Sequence, residues 1–328
     1  MAEYRMQKIV ITGPTGAIGL ALIRRCIEQK VQVLAIVRPH SERKNRIPSS
    51  PFVRIVECSL ENMKELAGSE RLPEEIRAEK NYDVFYHFAW SATIGDGRND
   101  MKLQTKNIEY TLDAVALADR LGCHTFIGAG SQAEYGRSLE KLSAQTAVFP
   151  ESGYGMAKLC AGQMTRLECQ KRGIRHIWAR ILSVYGPGDG EKTMISTVIR
   201  KLLAGEKPEL TAGEQMWDYL YSGDAARALY LLGSKGKEGR IYCIGSGQAR
   251  PLREYIEILR DSIAPGLPLG FGEVPYGEKQ IMYLCADISD LTRDTGFVPE
   301  VEFAAGIRMT IDAAKKTSQK IVSKRGSL

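Results

Sequence analysis

The 328-residue sequence predicts an α/β fold: a doubly wound parallel sheet with a smaller mixed α/β lobe. Short β-branched or aromatic runs alternate with longer amphipathic runs through the first half, the signature of buried parallel strands and crossover helices. The first strand-like run leads directly into a glycine-rich turn, TGPTGAIG. After about residue 183 the alternation loosens, and Gly and Pro become frequent in YGPGDG and PGLPLGFG.

Taken in order, the strands are KIVIT (8–12), QVLAIV (32–37), VRIVE (53–57), DVFYHFA (83–89) and TFIGAG (125–130), each bounded by turn residues. Helical patterns fill the gaps: 17–30, 103–122 and 154–173. The last two end on Gly122 and Gly173, where a left-handed cap residue is favoured. IRHIWARI (174–181) reads as the next strand. Repeated alternation of this kind builds right-handed crossovers on both faces of one sheet.

Composition excludes several classes. Apolar residues are 44% and charged residues 26%, a soluble globular balance, with no run near the roughly 20 apolar residues of a membrane span. The N-terminus MAEYRMQKIV lacks a signal-peptide pattern, so a cytoplasmic, membrane-free protein is expected. Seven cysteines with no CxxC pair predict buried thiols rather than a disulfide framework. The four scattered histidines predict no metal site. The net charge of +6 lies mostly in the last residues, at Lys315, Lys316, Lys320, Lys324 and Arg325. That predicts a solvated, frayed basic tail over 313–328 rather than a nucleic-acid-binding face.

Gly13, Gly16 and Gly19 follow a strand and open an amphipathic helix. In that context they supply a tight turn, a bare backbone and a close helix–strand approach, and the helix N-terminus offers free N–H groups to a pyrophosphate. A Rossmann dinucleotide site is therefore expected, with Gly13, Thr15, Gly16, Ala17, Ile18 and Gly19 at the cofactor. The second strand ends in Arg38, followed by Arg43 and Lys44, where an NAD site would hold an acid for the ribose 2′-hydroxyl. A guanidinium there suits a 2′-phosphate, so NADP is favoured and NAD is the alternative.

YGMAK (154–158) places a tyrosine and a lysine at i, i+4, on one helix face. YRMQK (4–8) has the same spacing, so spacing alone does not choose between Tyr154 and Tyr4. The glycine turn, YGMAK and GAGSQAEYG (128–136) together resemble the extended short-chain dehydrogenase/reductase superfamily, specifically its NAD-dependent epimerase/dehydratase group. HFAW (87–90), Asn107, RILSVYGPG (180–188), WDYLYSGDAARA (217–228), YCIGSG (242–247) and ADISDLTRDTGFVP (286–299) extend the likeness from about residue 8 to 312.

The resemblance implies a Rossmann domain over 1–183 with a return segment 217–248, and a nucleotide-sugar lobe over 184–216 and 249–312. It makes Tyr154 the acid/base and Lys158 its partner. Positive charge from Lys158 and the oxidised nicotinamide ring would favour the phenolate. Ser131 would hydrogen-bond the same sugar oxygen. It also places Ser59, Leu60, Ala89, Trp90 and Asn107 at the cofactor.

Departures narrow the chemistry. The Asp-Glu pair of the dehydratases is Gln132 and Ala133, which perform no acid–base work, so 4,6-dehydration is not expected. Glu134 is open to a sugar or a structural role. The diphosphate-binding Arg of QxRD is Trp217, open to stacking on substrate or to packing, with Lys192 and Lys279 as replacement cations. Trp90, Tyr185, Tyr221 and Tyr276 are candidates to line the sugar pocket or to pack. The expected activity is NADPH-dependent reduction of a nucleotide-linked 4-keto-6-deoxyhexose. The alternatives are an NDP-sugar 4-epimerase with tightly held NAD and, remotely, a non-catalytic cofactor sensor. The family resemblance also implies a homodimer through helices 103–122 and 154–173.

Overall fold

The computed structural model describes residues 6–66, 72, 74, 76 and 81–325; Tyr4 of the competing YRMQK pair lies outside them. The first half alternates as its hydrophobic runs require. It comprises β1 (Lys8–Thr12), α1 (Ala17–Glu28), β2 (Gln32–Val37), β3 (Val53–Glu57), β4 (Val84–His87), α2 (Met101–Arg120), β5 (Thr125–Ser131), α3 (Gly153–Arg172) and β6 (Arg175–Ile181). The chain returns through α4 (Ser222–Lys235) to β7 (Arg240–Ile244) at the sheet edge. The seven strands run in the order β7-β6-β5-β4-β1-β2-β3, and every pairing is parallel.

Both faces of this sheet are covered, which is why its strands read as continuous apolar runs. Within β1, Ile9 and Ile11 join a core with Leu22 of α1 and Leu229 of α4, while Val10 joins another with Phe85 and Val115. Each such fully buried aliphatic side chain contributes about 1.5–3 kcal/mol.

Local chemistry fixes the two long helices. Asp100 caps α2, accepting from the N–H groups of Lys102 at 3.0 Å and Leu103 at 3.1 Å. Ser152 caps α3 by accepting from Gly155 N–H at 3.1 Å, and Gly173 closes it at φ +66°. Two glycines let α3 lie tight on the sheet. A Cβ at Gly162 would stand 2.7 Å from the Trp178 ring, and one at Gly155 would collide with the carbonyl of Ala133.

The second lobe gathers the helices Met194–Leu203, Leu252–Ile263 and Phe303–Arg325 around an aromatic core. Tyr185 belongs to that core. It is 1% exposed, donates to the carbonyl of Phe303 at 3.3 Å, and packs on Tyr219, Tyr221 and Phe303. It is therefore a packing residue, not a wall of a sugar pocket. The basic end begins as helix: the last helix continues to Arg325. Ala, Lys and Gln are good helix formers, and no breaker precedes Gly326. The buried carboxylate of Asp218 ties the lobes together. It accepts from Ser246 N–H at 2.7 Å, Ala286 N–H at 2.9 Å and Gly247 N–H at 3.0 Å. Among the described residues all seven cysteines are free, only Cys160 is exposed, and no helix is long and apolar enough to cross a membrane.

Candidate active site

The strand order reverses direction between β1 and β4, so the loops leaving their C-terminal ends part and open a crevice. Gly13 sits there at φ +68°, and a Cβ on it would stand 2.8 Å from Ala89 N. Gly19 is equally constrained: its Cβ would lie 2.6 Å from the Gly13 carbonyl oxygen. Gly16 differs. Its φ is an ordinary −81° and the nearest atom to a Cβ is 3.9 Å away. Its bareness serves the space in front of α1, not the fold. The first turn of α1 has no acid and no capping side chain, so its N–H groups are free for an anion. Gly13, Thr15, Gly16, Ala17, Ile18 and Gly19 thus form a cradle that fits a pyrophosphate.

Arg38 follows β2 directly and is exposed, with no ion-pair partner among the described residues; Lys44 instead pairs with Glu57 at 2.7 Å. Past β3, Ser59 hydrogen-bonds the Glu61 carboxylate, and Leu60 packs against the core. Glu61 is held below the usual carboxylate range by its own backbone N–H and then by Ser59. An acid therefore stands near this corner, two residues after Ser59.

Ser131, Tyr154 and Lys158 come together where β5 ends against the first turns of α3. The Ser131 Oγ accepts from Ala133 N–H at 3.2 Å and hydrogen-bonds the Tyr154 phenol. Lys158, 3% exposed, donates to the carbonyl of Ala129 at 2.7 Å. Burial pulls its pKa down to about 7, against the attraction of Glu134. Burial also pushes the Tyr154 phenol above its usual range; Ser131 and the charge of Arg98 pull the other way. A second cation joins Lys158 at the phenol: the Arg98 guanidinium lies 4.4 Å over the Tyr154 ring, and Lys158 Nζ lies 5.8 Å from its centre.

The long loop after β4 forms the wall beside the trio. Gln104 of α2 donates to the carbonyls of Ala92 at 3.1 Å and Gly97 at 2.9 Å, and accepts from the Trp90 indole at 2.9 Å. Asn107 is 1% exposed. Its amide accepts from Ser91 N–H and donates to Ser91 O, both at 3.0 Å, and donates to Gln104 at 3.2 Å. Its polar atoms are spent on the loop, so any influence on a cofactor passes through that loop. Ala89 N–H is held by the Thr12 hydroxyl at 3.3 Å. Sequence reasoning missed Gln104 and Arg98. Neither belongs to a motif, and ATIGDGRND has no periodicity that reveals its shape.

Glu134 resolves to a structural role. It is fully buried, accepting from Arg180 Nε at 2.6 Å, Ser131 N–H at 2.8 Å and Trp178 Nε1 at 2.9 Å. With the Ser131 cap it forms a closed capping box, which fixes Ser131 beside Tyr154.

A family model for the NAD dependent epimerase/dehydratase family matches residues 9–245. The chain belongs to this family. It is thereby a member of the extended short-chain dehydrogenase/reductase superfamily. It is 25% identical over 325 residues to an Escherichia coli protein named dTDP-4-dehydro-6-deoxyglucose reductase, covering 95% of this chain and 99% of that one. It is also 25% identical over 323 residues to a putative UDP-glucose 4-epimerase of Methanocaldococcus jannaschii, with the same coverage. In fold it is similar to the UDP-glucose 4-epimerase of Thermotoga maritima: TM-score 0.81, 21% identity, 95% of this chain and 99% of that one covered.

The expected substrate residues of this family member are only partly gathered. Gln132 lies next to Ser131, and its amide oxygen is buried without a hydrogen-bond partner among the described residues. Trp217 is half-buried, donating from its indole to Ser183 Oγ at 2.8 Å, and its ring packs on the core. Its position is that of a packing residue. The Tyr276 hydroxyl accepts from Glu214 N–H at 3.1 Å and donates to Gln215 Oε1 at 3.4 Å. The Tyr221 hydroxyl donates to the Met309 sulfur at 3.6 Å, away from the trio. Lys192 and Lys279 are both exposed, each free of ion pairs among the described residues.

Proposed function

We propose that this protein reduces a nucleotide-linked 4-keto-6-deoxyhexose with NADPH, Tyr154 delivering the proton. One observation carries the reading: Tyr154 hydrogen-bonds the Ser131 hydroxyl and packs edge-on to Trp90, whose neighbour Ala89 lies against Gly13 of the glycine cradle. NADPH supplies the hydride when bound. The protein's part is to hold and move the proton. The Ser131 hydroxyl orients the carbonyl oxygen, and Tyr154 gives its proton to that oxygen as negative charge develops. A positively charged Lys158 steadies the phenolate left behind. The exposed, unpaired Arg38 supports NADPH as the reductant. The orphaned amide oxygen of Gln132 supports a sugar hydroxyl as its donor.

Equal similarity to a relative named as an epimerase supports a second reading, 4-epimerisation with retained NAD. A panel of nucleotide-linked keto and non-keto sugars, each with NADPH or NADH, separates the two. Stoichiometric NADPH oxidation with a keto sugar upholds the reductase. Interconversion of non-keto sugars without added cofactor overturns it.

The quaternary reading is a homodimer through α2 and α3. Met156, Cys160, Met164 and Leu167 form an exposed stripe at i, i+4, i+8 and i+11 along α3, and the groove beside it is lined by Met101, Thr105 and Ile108 of α2. A second copy would cover it. Sedimentation equilibrium showing only monomer would refute this.

A further inference from the structure

The loop between β4 and α2 carries two side chains whose contacts are with the acid–base pair. The Trp90 indole lies face-on to Lys158, its centre 3.7 Å from the ammonium nitrogen, and edge-on to Tyr154 at 6.0 Å and 85°. The Arg98 guanidinium covers the Tyr154 ring at 4.4 Å. Neither placement is accidental. Gln104 grips the loop at three points, and Asn99 accepts from Gly153 N–H at 3.0 Å, pinning the loop to the start of α3. Ala92 is held at φ +56°, a conformation that L residues with a Cβ adopt only under constraint. The Thr93 carbonyl accepts from Arg98 Nη1 at 2.7 Å and sets the guanidinium's direction.

We propose that Trp90 and Arg98 are positioning residues for the acid–base pair, the indole face holding the Lys158 ammonium and the guanidinium lying against the ring that Tyr154 ionises. This rests on the reading of Tyr154 and Lys158 as that pair. The physical need is plain. Lys158 is buried, and its direct hydrogen bond goes to a neutral carbonyl, Ala129 O. Burial of this kind discharges an amine unless something attracts the charge. A π face within about 6 Å does so, most strongly when it is indole and desolvated.

The other charged or titratable groups that act on the pair are few. Glu134, after β5, favours the lysine's charge and opposes the phenolate's. His87 of β4 is buried and neutral, its pKa pulled down to about 3 by burial and then by Lys158. Arg98 is the cation that acts on Tyr154 from outside α3.

Four variants test the proposal: Trp90→Leu, Trp90→Phe, Arg98→Met and Arg98→Lys, each checked for native circular dichroism. In cofactor-free protein, 13C NMR of the lysine ε-carbons follows Lys158, assigned as the resonance lost in Lys158→Arg. Its midpoint falls by about 0.5–1.5 pH units in Trp90→Leu and stays near wild type in Trp90→Phe. In turnover of a keto sugar, the alkaline limb of the pH profile moves to lower pH in Trp90→Leu, because Lys158 discharges earlier. It moves to higher pH in Arg98→Met, because the phenol keeps its proton longer, and Arg98→Lys restores it. Opposite shifts from one loop are not produced by general loosening. An unmoved Lys158 midpoint in folded Trp90→Leu overturns the role of Trp90, and an unmoved limb in folded Arg98→Met overturns that of Arg98. If instead Tyr154→Phe turns over normally, the underlying reading of the acid–base pair fails. The NMR midpoint still decides the Trp90 contact.

Discussion

Glu134→Ala removes one partner from a pair that no water screens. Arg180 is 2% exposed and Glu134 is 0%. The Arg180 Nη1 already lacks a partner, so the carboxylate is its main compensation. Burial works against the Arg180 charge, and Glu134 and then Tyr135 restore it, leaving its pKa above the ordinary value. Truncation at Glu134 also strands the Trp178 indole N–H and the Ser131 N–H. Leaving a buried ion unpaired costs about 3–5 kcal/mol, and each stranded donor adds about 1–3 kcal/mol where water does not enter. A loss of at least about 3 kcal/mol is expected. Urea unfolding followed by tryptophan fluorescence reads it, with Trp178 itself a local reporter. The double variant Glu134→Leu/Arg180→Met, which removes both charges, recovers the part owed to the unpaired Arg180, while the stranded N–H groups of Ser131 and Trp178 keep their share of the loss. An unchanged urea midpoint for Glu134→Ala would refute the view that this pair braces Ser131.

Other outcomes follow from the same geometry. Gly16→Ala keeps wild-type thermal stability but weakens cofactor binding at least about tenfold, because its Cβ enters the cradle; Gly13→Ala destabilises the fold itself, since φ +68° and the Ala89 contact leave no room. Titration calorimetry and thermal melts separate the two. Arg38→Ala lowers affinity for NADPH by about 10–100-fold while affinity for NADH changes little, the worth of a charged hydrogen bond. His87 and His176 are buried and neutral, with pKa values pulled down by burial to about 3 and about 4. The unfolded chain binds their protons near pH 6.5 and the folded protein does not. Their contribution is therefore present above pH 6.5 and lost as pH falls towards 4, each adding up to about 1.4 kcal/mol per pH unit. His176→Gln should flatten that slope in urea unfolding between pH 6.5 and 4.5.

The sheet was legible because both faces of its central strands are buried, so apolar runs and glycine stops marked its elements within a few residues. The dinucleotide cradle was legible because its constraint is steric and local. Tyr154 and Lys158 needed the resemblance, since helical spacing recurs by chance. What stayed hidden depends on distant partners. Tyr185 has an aromatic side chain in a motif that suggests a pocket, yet Phe303 and Tyr219 enclose it. Glu134 stayed open between a sugar and a structural role until Arg180, 46 residues on, arrived from the neighbouring strand. The loop after β4 owes its shape to Gln104 and Asn107 on the following helix, which the loop's own residues do not announce. The helix at the Lys-rich end stayed hidden because it is written in propensity rather than in an apolar stripe.

The central claim is that the Tyr154 phenol transfers the proton. Single-turnover NADPH oxidation with a nucleotide-linked 4-keto-6-deoxyhexose, wild type against Tyr154→Phe, addresses it directly when substrate affinity is measured alongside. The rate should fall by about 10²–10⁴-fold with affinity within a few fold of wild type. A phenylalanine variant that reduces the sugar at the wild-type rate would contradict it.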